Sequence, residues 1–157
     1  MIQGNNPGNL RYYSIGWVGE LYPDNRGMII FDNLFNGTRA MMKLIYNMNK
    51  KGYNTIRKLI YEYAPPIENN TEGYIKNLST MMGMNENQIF NFNDKNEIIK
   101  LIQSISIKES GESPPKGLIS DVYDHLFNGV NIPDPKEDKS PAIALLGLIA
   151  GSYFFLN

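Results

Sequence analysis

The feature that most constrains this chain is an abrupt change of composition after residue 130. A charged, proline-bearing stretch, NIPDPKEDKS (131–140), is followed by PAIALLGLIAGSYFFLN (141–157), which has no charged side chain. A helix of its roughly 16 apolar residues would be about 24 Å long. That is slightly short of a typical hydrocarbon core of about 30 Å, and within reach if the bilayer thins. We therefore predict a folded domain over residues 1–130, a linker over 131–140 and a transmembrane anchor helix over 141–157.

Two features favour insertion of this tail into lipid. Residues 141–156 offer no polar face that a docked helix would turn to solvent. Gly147 and Gly151 form a GxxxG pair, which allows close helix packing inside a membrane. The alternative is a C-terminal helix buried against the domain or against a partner protein.

The first residues, MIQGNNPGNLRYY, lack the basic and apolar regions of a cleaved secretory signal.

The composition excludes several kinds of chemistry. The chain has no cysteine and one histidine, His125, which excludes disulfides, thiolate metal sites and any site that needs two histidines. No glycine-rich loop matches a phosphate-binding or dinucleotide-binding pattern. Fifteen basic and sixteen acidic residues leave a net charge of −1, so there is no basic field to attract nucleic acid. We expect no metal, no cofactor and no nucleic-acid partner, which leaves carboxylate and hydroxyl chemistry, or binding without chemistry.

Apolar spacing predicts a mainly α domain with a loop-rich N-terminal lobe. Turn-forming residues crowd 4–27 and predict loops with one short β-hairpin, and MIIFD (28–32) reads as a brief strand. The predicted helices span about 34–49, 55–63, 70–82, 94–109 and 119–129. We also predict a short helical turn within 85–94, a cap at Thr55 and a C-cap at Gly129.

One acidic residue extends an apolar helical stripe. Ile98, Ile102, Ile105 and Glu109 follow one another at steps of four, three and four residues, which places them on one helix face. Burial disfavours a carboxylate, and the helix C-terminus disfavours it a little further, so we expect a raised pKa for Glu109. The alternative is a solvated helix terminus with no chemical role.

Several segments in one order carry a resemblance to a known family. They are NNPGNLR (5–11), GWVGE (16–20), FDNLFNGTRAMMKLI (31–45), YNTIRKLIYEYAPPIENNTEGYI (53–75) and IIKLIQSISIKESG (98–111). Together they resemble small phage virion and prophage-type proteins with a lysozyme-like or lytic transglycosylase-like domain, over residues 4–128. The resemblance implies an α+β lysozyme-like fold, peptidoglycan as substrate and cleavage of the glycan strand between its sugars.

This resemblance makes the buried acid a catalytic candidate. Glycan cleavage needs a protonated acid beside the glycosidic oxygen near neutral pH, and Glu109 is our first candidate. The ESG helix end looks like the catalytic helix of lysozyme-like transglycosylases, in which a segment similar to NNPGNLR follows the acid. Here that segment is N-terminal, which predicts a circular permutation, and close chain termini make such a rearrangement tolerable. Glu20 is the second candidate; its alternative is an exposed loop carboxylate.

Aromatic and amide side chains supply candidate substrate contacts. Tyr12, Trp17, Tyr22 and Tyr63 are expected to stack on sugar faces or to point hydroxyls into a groove, and half-buried packing is the alternative for each. Asn69 is expected either to bond an N-acetyl group or to cap the third helix together with its neighbours.

The combined expectation is a phage virion-associated peptidoglycan-degrading enzyme. Residues 141–156 would hold it at a membrane, that of a lipid-containing phage, with other virion proteins as further partners. One alternative is a non-catalytic virion structural protein that uses the same fold for assembly or glycan binding. Another is a host-encoded, tail-anchored toxin or wall-remodelling factor.

Overall fold

Helices dominate the part of the chain that the structure, a computed structural model, describes: residues 1–66 and 70–129. The helices are α1 (Leu34–Lys50), α2 (Ile56–Tyr63), α3 (Thr71–Met82), α4 (Lys95–Ser110) and α5 (Lys116–Phe127). Strands β1 (Glu20–Pro23) and β2 (Ile29–Phe31) pair in antiparallel fashion, and a 3-10 turn covers Gln3–Asn5. The prediction of a mainly α domain with one short hairpin is confirmed for these residues.

Side-chain caps start most of these helices at the predicted places. Thr55 accepts a hydrogen bond from the Lys58 amide at the start of α2, and Asp94 accepts from two amides at the start of α4. Asn33 and Asn70 cap α1 and α3 in the same way. Each cap satisfies backbone amides that have no partner inside the helix.

Helix α1 is the central element of the core. It packs against α5, α2, strand β2 and the N-terminal turn, while α2, α3, α4 and α5 pack as successive neighbours. The N-terminal turn comes very close to α1: a Cβ added to Gly37 would lie 1.7 Å from the carbonyl oxygen of Asn5. Because only glycine lacks that atom, this position allows the N-terminal segment to lie directly on the helix.

Three predictions about local structure are wrong. Residues 85–94 form turns and an isolated bridge between Thr55 and Ile89, not a helical turn. In this loop the amide of Phe90 donates a hydrogen bond to the carbonyl of Asn54, which is distant in sequence. The side chains of Asn85 and Asn91 accept hydrogen bonds from amides two residues further on, so these amides do not form helical hydrogen bonds. Helix α5 begins three residues before the predicted start, directly after Pro115, and its C-cap is Asn128, not Gly129.

None of the helices in the described ranges is long and apolar enough to cross a membrane. The predicted linker over 131–140 and the predicted anchor over 141–157 lie outside the described residues.

Candidate active site

Glu109 lies in the last turn of α4, where its side chain follows the buried stripe. Ile98, Ile102 and Ile105 are fully buried, and Glu109 is half-buried at the end of the same face. The hydroxyl of Tyr74, a buried residue of α3, donates a 2.8 Å hydrogen bond to Oε1 of Glu109. The carboxyl group is therefore held between two packed helices.

The surroundings of Glu109 favour its neutral form. Burial raises the pKa of Glu109, while the hydrogen bond from Tyr74 and the charge of Lys108 lower it by a smaller amount. Burial raises the pKa of Tyr74 well above its usual range, and the negative charge of Glu109 adds to this. The site thus combines an acid that retains its proton to higher pH with a neighbouring phenol that remains a donor.

The N-terminal loop lies on the same side of the molecule. The hydroxyl of Tyr63, at the end of α2, donates a hydrogen bond to the carbonyl oxygen of Gly8. Burial is the main cause of the raised pKa of Tyr63, and the negative charge of Glu109 raises this pKa further. Glu109 therefore acts electrostatically on the residue that holds this loop. The Met1 ammonium group donates to Oε1 of Glu112, just beyond the end of α4. The NNPGNLR segment is therefore brought beside the Glu109 end of α4.

One buried amide gives this loop a defined shape. Asn6 is 4% exposed, and its Nδ2 donates to the carbonyls of Leu10 and Ile29 at 2.8 and 3.0 Å. Its Oδ1 accepts from the Leu10 amide at 2.8 Å. A buried side-chain amide with these bonds fixes the loop against strand β2.

Glu20 has a different environment from Glu109. Its Oε2 accepts hydrogen bonds from the amides of Gly16 and Trp17, both at 3.1 Å, and its own amide donates to the Trp17 carbonyl. The carboxylate therefore closes the turn that leads into β1. Glu20 thus has a structural role in this turn. The alternative for Glu20 was an exposed loop carboxylate, which would have no such role.

The aromatic candidates are divided between the core and the surface. Trp17 is 8% exposed and belongs to the core. Tyr12 is half-buried and packs against this core. Tyr63 uses its hydroxyl on Gly8, whereas Tyr22 on β1 is 59% exposed. Of these four rings, Tyr22 is the one open to solvent. Asn69 lies outside the described residues, and its neighbour Asn70 caps α3.

Tyr74 is the site residue that the sequence analysis did not identify. It lies at helical spacing with Ile75 and Leu78 on the apolar face of α3, a pattern that is typical of core packing. The available signal was that a buried tyrosine needs a hydrogen-bond partner for its hydroxyl.

Two grooves formed by described residues lie away from Glu109. One of about 590 Å³ lies between α3 and the loop 84–87, and includes Glu72, Lys76 and Thr80. These three residues recur at steps of four along α3, so they form the helix face opposite to Tyr74. A second groove of about 290 Å³ lies between the end of α3 and the first turns of α4, and its lining includes Met84 and Lys100. In residues 1–66 and 70–129 no group of acidic or histidine side chains is arranged to hold a metal ion.

No protein-family model matches this sequence, and no curated protein matches it.

Proposed function

We propose that residues 1–130 form a lysozyme-like domain that cleaves peptidoglycan glycan strands, with Glu109 as the general acid. One observation carries the proposal. A half-buried carboxyl group at the end of an apolar helix has a pKa raised by burial, and Tyr74 orients it through one oxygen. Protonated carboxyl groups in apolar surroundings are the acids that glycoside cleavage requires near neutral pH.

The proposed reaction uses the two oxygens of Glu109 differently. Oε1 accepts the hydrogen bond from Tyr74, so the proton is assigned to Oε2. Transfer of this proton to the glycosidic oxygen allows the bond between that oxygen and the sugar C1 to break, with the electron pair leaving on the oxygen. The resulting carboxylate then takes a proton from the hydroxyl group or water that attacks C1. Tyr74 stabilises this transient carboxylate, and no second carboxylate is required when the sugar supplies its own hydroxyl.

The position of the N-terminal loop supports a circular permutation, which is part of the proposal. In the lysozyme-like proteins that the sequence resembles, a segment similar to NNPGNLR follows the catalytic helix. Here Tyr63 holds Gly8 near that helix end, and Met1 pairs with Glu112. The loop would then form a wall of the substrate cleft, and Tyr22 is an exposed ring available for sugar contact.

The apolar segment at 141–156 places this activity at a membrane in our proposal. A phage that contains an internal lipid membrane would carry the enzyme in its virion and open the cell wall locally during genome entry.

A second function is favoured by the position of the grooves. The two grooves described above are open depressions away from Glu109, at the end of α3 and the loop that follows it, and each could receive a partner. This observation favours a non-catalytic virion structural protein that uses the same fold for assembly or glycan binding.

Zymography on purified peptidoglycan tests the two functions. We expect the full chain to lyse the substrate and Glu109→Gln to reduce the rate by about 10²–10⁴-fold, the usual contribution of a general acid. Glu20→Gln should retain activity. Asp121→Asn, which removes an exposed carboxylate on α5, is the control for the loss of one negative charge.

Each outcome separates the proposals. Lysis by Glu109→Gln at the wild-type rate would refute the assignment of the acid while leaving the activity in place. Absence of lysis by every variant across a range of pH, with folded protein by circular dichroism, would favour the structural role.

A further inference from the structure

A cluster of aromatic rings lies at the end of the domain from which the chain continues towards residue 130. Tyr46, Phe92 and Phe127 are half-buried, and their ring centroids lie 5.0–6.2 Å apart. Tyr123, which is 6% exposed, packs behind them with its centroid 4.9 Å from that of Phe127. We call these four residues the aromatic end. It combines the last turns of α1 and α5 with the loop that precedes α4.

Lysine side chains lie over two of these rings. The Nζ atom of Lys50 is 5.6 Å from the Tyr46 centroid, and that of Lys95 is 5.9 Å from the Tyr123 centroid. Two carboxylates lie at the same end: Asp124 pairs with Lys95 at 2.6 Å, and Asp94 caps α4 and keeps its negative charge, so Lys50 is the lysine here that is free to meet anionic lipid. Exposed Lys50 has a ring contact and no acidic partner in residues 1–66 and 70–129.

The aromatic end and Glu109 are at opposite ends of α4. Lys95 begins this helix and Glu109 lies in its last turn. Fourteen residues separate them, which corresponds to about 21 Å along the helix axis.

We infer that the aromatic end rests on the headgroup layer of a lipid bilayer, with the Glu109 end facing away from the lipid. The inference rests on the membrane anchor that we proposed for 141–156. Aromatic rings are enriched at membrane–water interfaces because they are apolar with polar edges, and lysine ammonium groups reach the headgroups there.

The course of the chain supports this occupant over a protein partner. Helix α5 ends at Phe127 within the aromatic end, and residues 130–140 span at most roughly 40 Å even when fully extended. This reach exceeds the roughly 21 Å between the two ends of α4, so the linker brings the domain to the bilayer by the aromatic end, and the contacts of the rings and of Lys50 would hold that end there. The opposite end, with Glu109, would be presented to the cell wall.

Site-specific labelling of the full chain tests the orientation. Because the chain has no cysteine, Asn93→Cys and Lys108→Cys each introduce a single site for a fluorophore. Asn93 is exposed beside Phe92 at the aromatic end, and Lys108 is exposed beside Glu109. Each labelled protein is added to vesicles of phosphatidylcholine and phosphatidylglycerol, in which brominated lipids quench nearby fluorophores.

We expect severalfold stronger quenching of the label at position 93 than of the label at 108. Lys50→Glu should reduce the quenching at 93 by repelling anionic lipid, while Lys58→Glu, an exposed lysine on α2, is the matched control and should not. Equal quenching at both positions, or stronger quenching at 108, would overturn the docking inference alone. Failure of the chain to bind vesicles would overturn the anchor as well. Glycan cleavage is measured without lipid, so its failure is a separate result.

Discussion

The hydroxyl of Tyr63 donates a 2.5 Å hydrogen bond to the carbonyl oxygen of Gly8, across 55 residues of sequence. Gly8 itself is buried, and a Cβ added to it would lie 2.9 Å from Cγ of Met41 and 3.1 Å from the Tyr63 hydroxyl. This contact joins the end of α2 to the N-terminal loop on the side of the molecule where Glu109 lies.

Removal of this hydroxyl should loosen the loop. Tyr63→Phe leaves a buried carbonyl oxygen without its partner, so we expect a loss of about 1–3 kcal/mol in the free energy of unfolding. If the loop forms a wall of the substrate cleft, KM for soluble peptidoglycan fragments rises more than kcat falls. Tyr22→Phe is the control, since its ring is exposed. Unchanged stability and KM would show that the Tyr63 contact does not hold the loop in solution.

The pH dependence of activity should respond to Tyr74. Its hydrogen bond lowers the pKa of Glu109 against the larger effect of burial, so Tyr74→Phe should raise that pKa further. A general acid is active when protonated, and the alkaline limb of the pH–rate profile should therefore move to higher pH. Tyr61→Phe is the control, because the Tyr61 hydroxyl bonds to Glu72. A shift of the alkaline limb to lower pH in Tyr74→Phe would contradict the assigned role.

Stability should also depend on the ionisation of Glu109. Its pKa is raised in the folded state above the ordinary value of 4.5, so the folded state binds the proton more tightly than the unfolded chain does. The stabilisation is complete below the unfolded pKa and is lost as pH rises through the folded pKa. We expect Glu109→Gln to gain stability relative to the wild type as the pH rises above 4.5, measured by urea unfolding at each pH. A pH-independent difference would exclude a raised pKa.

Glu72 provides a control of opposite sign. Hydrogen bonds from Arg57 and Tyr61 lower the pKa of Glu72 to about 2 from the ordinary 4.5. Its contribution to stability is present above the unfolded pKa and is lost as pH falls towards the folded pKa. Glu72→Gln should therefore lose stability at neutral pH, and its difference from the wild type should disappear in acid.

Two helical glycines should respond in opposite directions to the same substitution. Gly37→Ala places a methyl group 1.7 Å from the Asn5 carbonyl oxygen, and we expect a destabilisation of at least about 1–3 kcal/mol, typical of overpacking. Gly117→Ala meets no atom within 4 Å, and should stabilise α5 by about 0.5–1 kcal/mol through a lower entropy of the unfolded chain. Thermal unfolding measures both effects. A neutral Gly37→Ala would mean that the N-terminal turn moves away from α1 readily.

The helices were predictable because their signals are local. Thr55, Asn70 and Asp94 cap helices within three residues of their own positions, and Gly83 ends α3 in the left-handed conformation. The loop 85–94 was predicted wrongly because Phe90 bonds to Asn54, a residue remote in sequence. A local pattern carries no information about such a partner.

The sequence by itself determined the helical spacing, the side-chain N-caps and the place of Glu109 on a buried stripe, because each depends on residues a few positions apart. The pairing of Glu109 with Tyr74 and of Tyr63 with Gly8 was decided by the tertiary structure alone. These contacts join residues 35 and 55 positions apart. Their geometry depends on how α2, α3 and α4 pack around α1, because burial and hydrogen bonding of a side chain are set by neighbours that only the folded chain brings together.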